Sequence, residues 1–363
     1  MRVLFVSKPV TAPFHDGSIC LVRDLALNLK RHEPSVMSVR GQRPFGDAQS
    51  PVVVPVYPKP GGYAPGLRQN MHAMAHLLVQ RQAQLWHFVF APNPRTSSAL
   101  APLCKLRGMR TVQTIASPPR QFEGVGKLLF GKIVVAQSEW TRERVVAAAP
   151  EREIRVIRPP LGSLITPSLE QLADYRQRLN LRPDQRVLVY PGDLEFSGGA
   201  QRVARAVPEL VAQIPGAVVV FACRQKTAKA REVDAELRAS LNPEHVRFAG
   251  ELPSLLPLLA LADAVLFPVE DLWAKVDIPI AALETMALGV PLVRLDTGPL
   301  AELVGPLAVP KDDTLQLVEA AKVAVLDPSR RAEIISVQKQ NIAEVFDAKV
   351  VAAQYEQLYD ELA

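Results

Sequence analysis

The sequence predicts an α/β protein made of two doubly wound, parallel-sheet halves. Short runs such as VLFVS (3–7), LWHFVF (85–90) and AVVVFAC (217–223) are continuously apolar, as parallel strands buried on both faces must be. They alternate with segments whose apolar residues recur at helical spacing. The rhythm then restarts near RPPLGSLITPS (158–168), and 363 residues are enough for two cores.

Taken in order, VLFVS is followed by the loop TAPFHDGS and a helix in which Leu21, Leu25 and Leu29 share a face. VMSVRG and PVVVPVYP read as strands, RQNMHAMAHLLVQRQ as a helix and LWHFVF as a strand. TSSALAPLCKLRG has Thr and Ser caps at its start and a Gly stop. TVQTIAS, KIVVAQS and IRVIRPP are three further strands. The second half opens with the helix SLEQLADYRQRLNL and the strand RVLVYPGD. AQRVARAVPELVAQI, AREVDAELRASL and LPSLLPLLALA are helices between the strands AVVVFAC, VRFAG and AVLFPV. A helix at 281–288, the strand PLVRLD and terminal helices close the chain. The expected domains are 1–162 and 163–345, and a last helix over about 346–363, which includes VVAAQYEQLYDELA, is a candidate to pack back on the first.

Composition narrows the function. Hydrophobic residues make up 48% and charged residues 22%, the balance of a soluble globular protein. No run approaches the ~18 apolar residues of a membrane span, and MRVLFVSKPV reads as a first strand rather than a signal peptide. Cys20, Cys104 and Cys223 are odd in number, widely spaced and without metal-ligand spacing, as expected of buried apolar groups in a reducing cytoplasm. The net charge of +5 is mild and suits phosphate-bearing ligands or an anionic membrane face. Scattered arginines and 6% aromatics argue against nucleic acid. A peripheral membrane contact is compatible with GKLLFGK (126–132), which a core segment explains equally well.

Ligands of open parallel sheets gather at the carboxyl ends of strands, and with two such domains the expected site is the cleft between them. VYPGDLEFSGGAQRVARA, VRFAGELPSLLPLLALADAVLFPV and IPIAALETMALGVPLVRLDTGPLAELV stand in this order, and LETMALGVPLV is the most specific part. With VVAQSEWTRERV and VIRPPLG in the first half, the series resembles the retaining GT-B glycosyltransferases of family four, the glycogen-synthase-like group. The resemblance implies a GT-B fold, two Rossmann-like domains facing across a cleft. It also implies transfer of a sugar from a nucleotide-sugar donor to an acceptor hydroxyl with retention, and without a metal.

The resemblance gives Glu284 the ribose of the donor, a role that suits a carboxylate because it accepts two hydrogen bonds from a vicinal diol. It gives Gly17, in FHDGS, a loop lining acceptor or phosphate, with His15 and Asp16 as polar neighbours. Thr297 and Gly298, before Glu302, stand on the phosphate side, and His87 lies in a strand where such proteins often carry a histidine. The first of the family's two glutamates is replaced by Val276, between Lys275 and Asp277. The Arg and Lys that neutralise the diphosphate fall at Asp193 and Gly198. Substitutes are Lys275, Arg224 and Lys226 after AVVVFAC, and backbone N–H groups of the turn GDLEFSGG, which contains Gly192 and Gly198. The catalytic candidates are therefore His87, Lys275 and Asp277. Ser138 reads as a helix cap.

No Gly-x-Gly-x-x-Gly, phosphate-loop, nucleophile-elbow or Asp-x-Asp pattern occurs. The expected partners are a nucleotide sugar and an acceptor glycan or small molecule, with no metal and no cofactor. Two alternatives stay open: an attenuated GT-B binding subunit of a polysaccharide or envelope assembly complex, and a nucleotide-sugar epimerase.

Overall fold

The apolar runs become strands buried on both faces, and these strands assemble into two wholly parallel sheets. The structure is a computed structural model that describes residues 1–14, 16–46, 48–59, 66–273 and 275–363. Two units emerge. One is Met1–Gly162 with Trp273–Ile280 and Val345–Ala363, and the other is Ser163–Leu272 with Ala281–Glu344.

In the first unit, β1 (Arg2–Val6), β2 (Glu33–Val39), β3 (Val52–Tyr57), β4 (Leu85–Phe90), β5 (Arg110–Ile115), β6 (Ile133–Ala136) and β7 (Ile154–Val156) form one sheet. Its order is β3-β2-β1-β4-β5-β6-β7. The helices are α1 (Gly17–Asn28), α2 (Leu67–Val79), α3 (Pro94–Arg107) and α4 (Glu139–Ala148).

The second unit holds β8 (Arg186–Tyr190), β9 (Ala217–Phe221), β10 (Val246–Phe248), β11 (Ala264–Phe267), β12 (Leu292–Leu295) and β13 (Leu307–Val309). Their order is β10-β9-β8-β11-β12-β13. The helices here are α5 (Leu169–Arg178), α6 (Gly199–Gln213), α7 (Ala228–Ser240), α8 (Leu256–Leu261), α9 (Ile280–Ala287), α10 (Thr314–Leu326) and α11 (Pro328–Asn341). The first residue of α9 falls in the first unit. The last helix, α12 (Ala348–Asp360), belongs to the first unit.

Each sheet reverses its winding beside its first strand, at β1/β4 and at β8/β11. Loops that diverge at such a switch point leave room for a ligand at the strands' carboxyl ends. Strand alternation divides the first unit's core. Val3 and Phe5 face Leu21 and Leu25 of α1 and Tyr355 and Tyr359 of α12. Leu4 and Val6 face Leu77 of α2 and Leu100 and Leu103 of α3. Glu356 of α12 accepts hydrogen bonds from the backbone N–H groups of Lys30 (2.6 Å) and Arg31 (2.5 Å), which fixes the helix on this unit.

One segment departs from the sequence expectation. Trp273–Ile280 groups with the first unit although its neighbours in the chain belong to the second. The reason is local. Trp273 takes the Arg120 guanidinium over its ring at 5.2 Å, Val276 joins the core beside α1, and the buried Asp277 is hydrogen-bonded to α4.

Candidate functional site

In the second unit, the loops after β8, β9, β11 and β12 end on one edge of the sheet, because these four strands are adjacent and parallel. The loops after β8, β9 and β12 carry Gly192, Gly198, Arg224, Lys226, Thr297 and Gly298, and the chain after β11 leads on to α9, which carries Glu284. The loop after β8 wraps over the Tyr190 phenol, whose hydroxyl donates to the Asp193 carbonyl at 2.8 Å and lies 3.1 Å from Ser197 Oγ. A Cβ on Gly192 would sit 2.2 Å from the Tyr190 ring, so close approach requires that glycine. Gly198 precedes α6 at φ 67°, a left-handed conformation.

Three of the N–H donors expected of this turn are engaged by one carboxylate. Asp193 Oδ1 accepts from the backbone N–H groups of Glu195 (2.9 Å), Phe196 (2.5 Å) and Ser197 (3.3 Å). The carboxylate standing where the resemblance expects an arginine therefore occupies three of the turn's backbone donors. Beneath the turn lies Arg202, a residue that sequence reasoning missed. Its Nη1 donates to the carbonyls of Ser197 (3.1 Å) and Pro268 (3.4 Å), Nη2 to Glu270 (2.9 Å) and Nε to Asp312 (2.9 Å). A Cβ at Gly198 would come within 2.8 Å of Arg202 Nη1, so the guanidinium lies against the position where the resemblance expects a lysine. Lys311 reaches the same Glu270, and hydrogen bonds from Lys311 and Arg202 hold its carboxyl below the usual range. An arginine in the first turn of a helix otherwise resembles any surface cation; only its burial, with 8% of the residue exposed, reveals the role.

Arg224 is half-buried and Lys226 exposed, in the loop between β9 and α7. Thr227 caps α7 and donates to Glu195 Oε2 at 2.5 Å, joining this loop to the one after β8. Glu284 does not head its helix. It is the fifth residue of α9, beyond the first turn where the helix dipole is felt. Ala282, Leu283, Thr285 and Met286 are fully buried around it, whereas Glu284 is half-buried on the other stripe of α9. After β12, Thr297 is exposed and Gly298 adopts φ 74°, open to glycine and strained for other residues. Arg294 braces this turn from below by donating to the carbonyls of Leu295 (2.9 Å), Ala301 (3.2 Å) and Leu303 (3.0 Å). Burial lowers its pKa.

In the first unit, Gly17 begins α1 after the cap Asp16, which accepts from the Ser18 N–H at 2.9 Å and the Lys8 ammonium at 2.8 Å. Burial would raise the Asp16 pKa, but Lys8 and Ser18 together hold it below its ordinary value. His15 lies outside the described residues. A Cβ on Gly17 would fall 2.5 Å from Val276 Cγ2, so the valine at the place of the missing glutamate is packed against this loop. Beside it, Asp277 is fully buried. Its Oδ2 accepts from Ser138 Oγ at 2.7 Å and its Oδ1 from Thr141 Oγ1 at 2.8 Å. Ser138 is the N-cap of α4, so the carboxylate also meets the favourable end of that helix. Asp277 therefore anchors its segment, and it has no open face for a reacting group. Lys275, two residues before it, is half-buried.

His87 is corrected in the same way. It lies inside the sheet with no exposed surface, and both ring nitrogens are engaged at 2.7 Å, Nδ1 by Tyr359 and Nε2 by Thr114. Thr114 continues to the Tyr355 hydroxyl at 2.9 Å. Burial pushes the imidazole pKa down to about 3, so the ring is neutral and serves to pin α12 to β4 and β5. A polar depression of about 920 Å³, lined by Arg182, His245 and Arg247 among others, opens at the opposite, amino-terminal ends of β8–β10. It is remote from the loops above. Arg247 there is occupied by the carbonyls of Leu179 (2.9 Å) and Pro243 (2.7 Å).

Solved structures share this architecture over the whole chain. Sucrose-phosphate synthase from Thermosynechococcus elongatus superimposes with a TM-score of 0.72 at 19% identity, covering 100% of this chain and 99% of that one. Anabaena Alr3699/HepE, solved in complex with UDP-glucose, gives 0.71 at 15% identity, covering 99% and 100%. The chain has the GT-B fold. Within it, residues 185–327 match the family described as "Glycosyl transferases group 1". Glycogen synthase of Mycobacterium tuberculosis is 30% identical over 179 residues, 47% of this chain and 42% of that protein. The match thus spans less than half the length of the curated relative. The matched family segment contains Gly192, Gly198, Arg224, Lys226, Glu284, Thr297 and Gly298.

Proposed function

We propose that this protein is a glycosyltransferase that moves a hexosyl group from a nucleotide sugar to an acceptor hydroxyl, with retention and without a metal. The observation that carries the reading is the match of residues 185–327 to group 1 glycosyl transferases, with Glu284 half-buried on α9 and the loops after β8, β9 and β12 on the same sheet edge. In this reading Glu284 accepts hydrogen bonds from the ribose hydroxyls. Arg224 and Lys226 lie along the diphosphate, and Thr297 and Gly298 offer backbone donors to it. Lys275 is the cation nearest in the chain to the lost glutamate and stabilises the leaving phosphate. Charge stabilisation at that phosphate is the main source of rate, and each donor removed typically costs ~100- to 1,000-fold. Asp277 and His87 act by holding the fold of the first unit. The acceptor is a glycan or small molecule bearing a hydroxyl.

A second reading is favoured by Asp193. Its carboxylate accepts three backbone N–H groups at the turn after β8, and Gly198 supplies no cation. Under this reading the chain is an attenuated GT-B subunit that binds a nucleotide sugar without turning it over. Incubation with UDP-, GDP- and ADP-sugars, followed by thermal shift and by nucleotide release in the presence of acceptors, separates the two. A stabilising donor whose nucleotide is released supports the enzyme. A stabilising donor with no release on any acceptor supports the binding subunit.

A further inference from the structure

The net charge of +5 conceals a segregation. Between Ala48 and Phe122 the chain has no Asp or Glu but eight Lys and Arg, so all other residues together carry a net −3. Both α2 and α3 lie in this stretch, and both cover the same face of the first sheet, through Leu77, Leu100 and Leu103. Yet α2 turns most of its large apolar side chains outward. Leu77 is fully buried and Met74 partly so, whereas Leu67 is 78%, Met71 61%, Leu78 49% and Val79 72% exposed. Leu67, Met71 and Leu78 fall at i, i+4 and i+11, one stripe of the helix. The Arg107 guanidinium at the end of α3 donates to the carbonyls of Leu78 and Gln80. This fixes the end of α3, with Leu106 78% exposed, against the last turn of α2. Five of the thirteen exposed large apolar side chains of the described residues thus fall on two adjoining helices. Arg68, Arg81 and Lys105 are exposed around them.

We propose that the outer face of α2, with the end of α3, docks on an anionic lipid bilayer. Scattered apolar side chains on a surface are ordinary, but a contiguous apolar stripe rimmed by charge marks an interaction surface. A bilayer supplies both complements at once: negative headgroups for the cations and, just beneath, an apolar layer for the stripe. The absence of any carboxylate over 75 consecutive residues removes the repulsion that such a surface would otherwise meet. No helix of the described residues is long and apolar enough to cross a membrane, so the contact would be one of lying on the surface. The proposal is independent of the donor reading.

The test is sedimentation of the full chain with vesicles of phosphatidylcholine alone and of phosphatidylcholine mixed with phosphatidylglycerol. Two double variants accompany it, Met71→Glu with Leu78→Glu and Arg68→Glu with Arg81→Glu. All four positions are exposed, so thermal unfolding should be unchanged. The wild type should sediment with the mixed vesicles and much less with the neutral ones, and added salt should weaken the binding. Each double variant should lose at least about tenfold in affinity. Equal binding to both vesicle types, no binding to either, or unchanged binding by both folded variants would overturn the proposal. So would light scattering that shows the apolar variant abolishing a dimer while vesicle binding persists, which would make the face a self-association surface.

Discussion

Replacing Asp277 with Ala tests how the segment Trp273–Ile280 is held. The carboxylate accepts two hydroxyl hydrogen bonds at 2.7 and 2.8 Å and is fully buried. Hydrogen bonds to a charged group contribute about 1.5–3 kcal/mol each, so the gross loss is about 3–6 kcal/mol. Relief of the buried charge offsets part of it, leaving a net destabilisation of about 3 kcal/mol. Asp277→Asn keeps one acceptor oxygen and should cost about 1 kcal/mol. Trp86, Trp140 and Trp273 are the only tryptophans of the chain, and all belong to the first unit. Urea unfolding followed by tryptophan fluorescence therefore reports on this unit selectively. Midpoints should fall in the order wild type, Asn, Ala, with the slope unchanged. An alanine variant within about 0.5 kcal/mol of wild type, the range of an ordinary surface substitution, would refute the anchoring role.

Three further outcomes are expected. Gly17→Ala places a Cβ 2.5 Å from Val276 Cγ2 and should cost about 1–3 kcal/mol; combined with Val276→Ala it should cost less than the sum, and strict additivity in the same assay would contradict the contact. The folded pKa of His87, about 3, lies below the unfolded value of ~6.5, so stability is present above pH 6.5 and lost on acidification towards pH 3. From pH 7.5 to 5 this one group should remove about 2 kcal/mol, a loss that should shrink by that amount in His87→Gln; identical pH dependence in the two proteins would argue against a neutral, buried ring. Asp193→Asn keeps an acceptor for the turn's N–H groups and removes a negative charge, so nucleoside diphosphate titrations should show several-fold tighter binding, and weaker binding would mean that the carboxylate assists the ligand.

The sheet halves were legible because a strand buried on both faces must be continuously apolar, and LWHFVF shows this as β4 (Leu85–Phe90). The edge strand β13 (Leu307–Val309) gave no such signal, since three residues with one exposed carry almost no pattern. Spacing shows that the loops of the candidate site follow strands, as they do, but not what their side chains touch. His87 looks like a reactive group in sequence and is a core residue, because its partners Tyr355 and Tyr359 arrive from the far end of the chain. Asp277 is a similar case, its partners Ser138 and Thr141 lying more than a hundred residues earlier. Arg202 was invisible because burial alone distinguishes it from a solvated arginine. The acid-free stretch was present in the sequence throughout, but averaging the charge over the whole chain conceals it.

In the proposed function Glu284 binds the ribose of a nucleotide sugar. Calorimetric titration of the wild type and of Glu284→Ala with the diphosphates and sugar conjugates of uridine, guanosine and adenosine tests it most directly. At least one nucleotide should bind the wild type, and the variant, folding normally, should bind it at least about tenfold more weakly. Equal affinity in the two proteins, or no nucleotide bound by the wild type, would contradict it.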